Sequence, residues 1–260
     1  MSEIKATQLI QDLKPYAQMT VVDGVTVGDL AFASAQTFYS TGLIATDSGT
    51  ANILPANSRV NLFSGAVGSA GAQGYGAAAV LTESETNLRD REGKLGANEC
   101  FVGVRCGFNV FRRSGNALAS TETVSHIGTT DGLHGLLDHL TWTWNPGDTI
   151  ERTIGPIGMY PAGGGVYGHL LGAAASAGGG AGSATTEAIA WGATNGIQSP
   201  YTLRKLPLPI IWKPQIRTQV KVECGTGFEA YSHGSVDSWD TTDFIGVRMV
   251  VQGVLFTMPV

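Results

Sequence analysis

Five histidines (His126, His134, His139, His169 and His233) are the residues of this chain best suited to metal binding or acid–base work. His134, Asp138 and His139 fall within HGLLDH. On a helix, His134 and Asp138 would share a face, but a third ligand would have to come from elsewhere. A zincin site needs two histidines at i and i+4 with a glutamate between them; here the spacing is i, i+5. Nor does the sequence contain the HxH pair of metal-binding cupins. A surface turn is expected, with no metal bound.

GGGVYG, with Gly163, Gly165 and Gly168, formally matches a dinucleotide fingerprint. That chemistry needs a strand before the glycines and a helix after them, so that the helix N-terminus meets a pyrophosphate. Pro161 precedes the segment and a Gly/Ala tract follows it, so a loop is expected and no nucleotide cofactor. Trp142, Trp144, Trp212 and Trp239 could stack on sugar rings. Trp142 and Trp144 share a strand face with Leu140, however, and read as sandwich core. Of the carboxylates, only Glu99 sits near an apolar setting, and no pair suited to glycoside hydrolysis stands out. Cys100, Cys106 and Cys224 are odd in number; the first two are expected on one face of one strand, about 20 Å apart and beyond disulfide reach. No residue is assigned a catalytic, cofactor-binding or metal-binding role, and the chain reads as a non-enzyme.

The elements that would position these residues follow from composition. Glycine supplies 36 of 260 residues, charged residues only 14%, and hydrophobic residues 43%. That is about twice the ordinary glycine content and half the ordinary charge. Short strands joined by tight turns fit this mixture. The net charge of −5 and the scarcity of bases in the first 58 residues, only Lys5 and Lys14, exclude a basic arm that grips nucleic acid. The N-terminus does not read as a secretory signal. The longest uncharged stretch, 153–186, is broken by Pro156, Pro161 and many glycines, so it cannot span a membrane as a helix. A chain made in the cytosol and soluble when made is expected.

A short helix is expected within 2–18, then a hairpin turning at Asp23-Gly24. Further strands are expected at 36–43 and 58–63, followed by a Gly/Ala/Ser loop at 64–79. The dense charge run LTESETNLRDREGKLGANE reads as an exposed loop. In ECFVGVRCGFNVFRR, apolar Cys100, Val102, Val104, Cys106, Phe108 and Val110 alternate with small or polar residues, which predicts a long strand with one buried face. Strands are also predicted around Leu140, Trp142 and Trp144, and around Ile150, Arg152 and Ile154. Another carries Ile216, Thr218, Val220, Val222 and Cys224 inward, with Arg217, Gln219, Lys221 and Glu223 in water. The last element, from Ile245, is apolar on both faces and expected to be covered on both, with a bulge at Gln252-Gly253. Long loops are expected at 112–136, 155–200 and 225–242. The whole predicts an all-β, antiparallel two-sheet jelly-roll sandwich. Residues 1–97 would form an N-terminal arm and extra strands, and 98–260 the jelly-roll domain. A compact double jelly roll is the alternative.

The run LTESETNLRDREGKLGANECFVGVRCGFNVF resembles the entry to the first long strand in jelly-roll major capsid proteins of tailless icosahedral bacteriophages, several of which enclose a lipid membrane. It shares with them a glycine-rich loop and a Thr86-Asn87-Leu88 turn leading into the strand. LPLPIIWKPQIRTQVKVEC and VRMVVQGVLFTMPV are similar to the closing strands of that group. The likeness covers 58–110 and 203–260. It implies a virion structural subunit that self-assembles as a homotrimer or hexameric capsomer, with other capsid proteins as partners. It implies no direct sequence-specific contact with nucleic acid; another protein, or an internal membrane, would line the shell. A carbohydrate-binding β-sandwich module is the alternative function.

Overall fold

The computed structural model describes residues 11–12, 20–22, 25–26, 33–45, 53–54, 56–69, 72–74, 80–88, 93–114, 137–147, 151–162, 167–174, 188–194, 202–226, 228–229 and 243–257. Its strands, in chain order, begin with β1 (Thr20–Val22), β2 (Val25–Thr26), β3 (Ala33–Ala45), β4 (Ile53–Leu54) and β5 (Ser58–Leu62). Next come β6 (Ala72–Gly74), β7 (Glu99–Ser114), β8 (Leu140–Pro146), β9 (Arg152–Pro156) and β10 (Tyr167–Ala174). The last are β11 (Ala188–Thr194), β12 (Arg204–Trp212), β13 (Thr218–Cys224), β14 (Phe228–Glu229) and β15 (Asp243–Thr257).

Two antiparallel four-strand sheets stack as a sandwich. The first runs β12-β7-β15-β3, with short β6 added parallel at its β3 edge; the second runs β5-β13-β8-β9. The eight principal strands pair from the outside of the sequence inward: β3 with β15, β5 with β13, β7 with β12, β8 with β9. One long antiparallel ribbon, wrapped so that successive rungs alternate between sheets, has this pairing. It is a single jelly roll, as expected.

The expected division between residues 97 and 98 does not follow the sheets. β3 and β5 come from the first 97 residues and supply the outermost two rungs. Nothing local marks them as part of the sandwich, because their partners β15 and β13 lie far along the chain. The Asp23-Gly24 hairpin is present in its flanking strands, with Val22 opposite Val25. Of the predicted N-terminal helix, residues 11–12 are helical and the rest lie outside the described residues. The expected loop at 155–200 contains a hairpin instead: β10 pairs antiparallel with β11.

Between the sheets, two aromatic clusters fill the core. Phe38, Phe63 and Phe101 surround Trp212, with Phe63 edge-on to it at 4.8 Å. Trp142 packs on Phe108 at 5.4 Å and edge-on to Tyr160 at 5.5 Å. Burying side chains of this size contributes roughly 1.5–3 kcal/mol each, before the opposing loss of conformational entropy. β3 and β5 approach closely across the sandwich at Gly42 and Val60. A Cβ on Gly42 would stand 2.1 Å from a Val60 methyl carbon, so only glycine fits there.

The last strand is covered on both faces, as expected; a bulge does lie at the Gln252/Gly253 step, but its extra residue is on β7, and the last strand itself runs through in unbroken register with β3. Gln252 pairs with Arg105 and Gly253 with Gly103, which leaves Val104 as an extra residue on β7. The bulge has a consequence that alternation alone misses. Cys100, Val102 and Val104 face outward with Val254 and Phe256, whereas Phe101, Cys106, Phe108 and Val110 face the core between the sheets. Cys100 and Cys106 therefore lie on opposite faces of the sheet, not on one, and both faces of β7 are buried.

Candidate interaction surfaces

Among the described residues, the chemistry-bearing side chains do not converge. Asp138 and His139 are exposed in a helical turn at 137–139, while His126, His134 and His233 lie outside the described residues. Among the described residues no three His, Cys, Asp or Glu side chains are grouped to hold a metal. Gly168 belongs to β10, opposite Ala193, so a strand follows the glycines where a dinucleotide site would need a helix. Trp142 and Trp212 are buried in the core and Trp144 packs against it, while Trp239 lies outside the described residues. Glu99 serves a turn: its Oε2 accepts a hydrogen bond from the Gly96 N–H at 3.1 Å.

All three cysteines are buried and unpaired as disulfides. Burial pushes the Cys100 thiol up to about 12, with Lys213 pulling slightly the other way. Burial alone raises Cys106. Cys224 is raised by burial too, partly opposed by a backbone hydrogen bond at Thr226. Protonated, enclosed thiols are poor nucleophiles, so these cysteines act as small apolar side chains.

The two outer faces of the sandwich differ in chemistry. On the β5-β13-β8-β9 sheet the outer face is polar. It carries ion pairs of Arg59 with Glu223 and Lys221 with Glu151, and the hydroxyls of Thr143 and Thr153. On the other sheet the outer face is dry around Cys100, Val102, Val104, Val254 and Phe256. β1 lies against β7. Beside it, Asp12 accepts a hydrogen bond from Arg105 Nε at 2.7 Å and pairs with Lys205 Nζ at 3.3 Å. This part of the N-terminal segment thus docks on its own sheet.

The charge run expected to be an exposed loop is instead a plug. Leu81, Glu85, Thr86 and Leu88 are buried. Glu85 Oε2 accepts from the Thr82 N–H at 2.8 Å and from its hydroxyl at 3.0 Å. Its charge also supports Arg248, whose guanidinium is pushed down in pKa by burial and donates from Nε to Thr41 Oγ1 at 3.1 Å. Asn87 seals the edge of β3. Its Oδ1 accepts from the Tyr39 N–H at 2.9 Å and its Nδ2 donates to the Thr37 carbonyl at 2.8 Å. A side-chain amide here does what a neighbouring strand would do, and so protects an otherwise open edge. The signal was present in the sequence: Leu81, Glu85 and Leu88 are spaced as an inward-facing turn within the charged run.

Two further departures concern single strands. Gln219, expected in water, is buried, while Ile216, expected inside, is exposed beyond the start of β13. Glu151 to Ile154 are all exposed, because β9 is an edge strand bulged at Ile154. Pro207 and Pro209 lie within edge strand β12, where it bulges away from β7; a missing donor is tolerated there.

The β9 and β12 edges adjoin. Arg204 donates from β12 to the Met159 carbonyl at 3.1 Å, just after β9. This side of the sandwich exposes Ile154, Met159 and Leu208, the last at 65%. Arg152 on β9 and Arg204 and Lys205 on β12 are exposed as well. Comparison with family models, curated proteins and solved structures gave no match to this chain.

Proposed function

We propose that the chain is a structural subunit of an icosahedral virion shell, self-assembling through copies of itself into trimeric or hexameric capsomers. The observation that carries this reading is the wrapped eight-strand ribbon around a solid aromatic core. Jelly rolls occur in capsid proteins, lectins and cupins, and the fold alone does not choose among them. A ligand-binding jelly roll needs a space or platform for its ligand. Here the interval between the sheets is filled by Phe38, Phe63, Phe101, Phe108, Trp142 and Trp212. Two of the four tryptophans considered for sugar stacking are consumed by that core. A rigid body with a sealed β3 edge and long connections at its ends suits a tile that meets its neighbours through loops. The acidic net charge agrees with an inner lining supplied by another protein or a membrane rather than by direct contact with nucleic acid.

Sedimentation velocity over a concentration series, with negative-stain microscopy of the same samples, tests the reading. Uniform capsomers or closed shells are expected. A monomer at every concentration would overturn it. Saturable quenching of tryptophan fluorescence by oligosaccharides would favour the carbohydrate-binding alternative instead.

A further inference from the structure

Among the described residues, β1 and β2 pair only with each other and join neither main sheet, so no ladder of backbone hydrogen bonds ties them to the sandwich. β1 nevertheless lies against β7, and Asp12 is seated on the outer face of the same sheet. The bulge at Val104 turns Arg105 to that face, beside Cys100, Val102 and Val104. Lys205 of β12 stands opposite Arg105 in the ladder. Both bases reach one carboxylate: Asp12 Oδ2 accepts from Arg105 Nε at 2.7 Å, and Oδ1 lies 3.3 Å from Lys205 Nζ. The side chains of Asp12 and Arg105 are each only 13% exposed. Without the carboxylate a nearly buried guanidinium would be left unpaired, which is strongly unfavourable. The face therefore needs an occupant that brings an acid to Arg105 and keeps Cys100, Val102, Val104, Val254 and Phe256 dry.

We infer that this face receives the N-terminal segment of a second copy of the chain as well as its own, so that exchanged segments tie neighbouring subunits together. The inference rests on the self-assembly reading and names a contact that would perform it. Lifting the segment breaks side-chain contacts and one ion-pair cluster but no strand of either main sheet, and a second copy's segment restores each of those contacts. Exchange of an identical element is for that reason a low-cost route to an oligomer, and passing the segment round a ring closes a capsomer. The covalent link permits it. From Thr26 to Ala33 the chain advances seven residues, a reach of up to about 25 Å. Ala33 pairs with Phe256, and Phe256 with Cys100, so β7 stands two strand spacings away, about 10 Å. The link is longer than the route within one subunit and leaves slack to cross to an adjoining one. In dilute solution the tether favours a subunit's own segment, and exchange gains as copies crowd together in a shell. Asp12 on the Arg105–Lys205 pair fixes the register in either case.

The test uses the full-length wild-type protein in two batches, one isotopically light and one heavy, mixed in dilute solution and then concentrated to assemble. A carbodiimide joins the Asp12 carboxyl to the Lys205 amine with loss of water. Mass spectrometry of the digest then shows whether the two residues came from one chain or from two. In dilute solution the Asp12–Lys205 product should be almost wholly of one isotope. In assembled particles, separated by sedimentation, mixed light–heavy product should rise to about half of the total, the random share for exchanged segments. Assembled particles that yield only single-isotope product would overturn exchange while leaving self-assembly standing. Absence of any Asp12–Lys205 product from the dilute sample would overturn it too, because the contact itself would be missing. A wild type that stays monomeric at every concentration would overturn the self-assembly reading and this inference with it.

Discussion

Gly253 of β15 and Gly103 of β7 face each other across the bulge at Val104. A Cβ on Gly253 would stand 2.0 Å from the Val102 carbonyl oxygen and 2.7 Å from the Gly103 Cα. The obstruction is backbone, which cannot rotate away as a side chain can. The two strands can hold this spacing only while position 253 lacks a side chain. G253A should therefore destabilise the fold by about 3 kcal/mol, read from the midpoint of urea unfolding. A midpoint unchanged from wild type would mean that the bulge can open without loss.

Asn87 holds β3 by three hydrogen bonds, two from its side chain and a longer one at 3.3 Å from its own N–H to the Tyr39 carbonyl. N87A should leave the Tyr39 N–H and the Thr37 carbonyl without these partners, at about 2 kcal/mol. N87D keeps the acceptor and loses the donor, so it should fall between N87A and wild type. Hydrogen exchange at the Tyr39 amide should accelerate in N87A, and the opened edge should make that variant aggregate sooner on heating.

Glu85 is buried beside Arg248 and also caps the turn at Thr82. E85Q removes the charge that supports the partly buried guanidinium and weakens the cap, so a loss of about 1–2 kcal/mol is expected. Replacing Glu83, which is exposed two residues earlier, should change stability little. Equal effects at the two positions would contradict a specific role for the buried carboxylate.

Thiol titration should separate burial from reactivity. In the native protein an aromatic disulfide reagent near neutral pH should find essentially no reactive thiol, and in denaturant it should find three. The linked effect on stability has a definite sign. Cys100 keeps its proton to about pH 12 when folded, against an ordinary value of 9.0, and Cys106 and Cys224 are raised in the same direction. Their contribution is complete below the ordinary value and is lost as pH climbs from there towards the folded one, because the unfolded thiols ionise first. Substituting all three by alanine should flatten the alkaline decline in stability between about pH 9 and 12, even though the variant is less stable at neutral pH.

Local pattern carried much of the fold. Alternation around Phe108, Trp142 and Val220 announced strands, Asp23-Gly24 a hairpin, Gln252-Gly253 a bulge, and the doubly apolar last strand its burial on both sides. These are local properties: a two-residue period or a turn chemistry acts within a few bonds of itself. Tertiary structure alone decided the rest. β3, built from small residues such as Ala33, Ala35 and Gly42, shows little periodicity, and its place in the first sheet depends on β15, at the other end of the chain. The single extra residue at Val104 put Cys100 and Cys106 on opposite faces, because one added residue inverts every side chain beyond it. The burial of Glu85 and Asn87's seal on β3 were decided by where a distant strand edge happened to lie. Short-range sterics and solvation are written in neighbouring residues, whereas which faces meet depends on contacts between segments far apart in the chain.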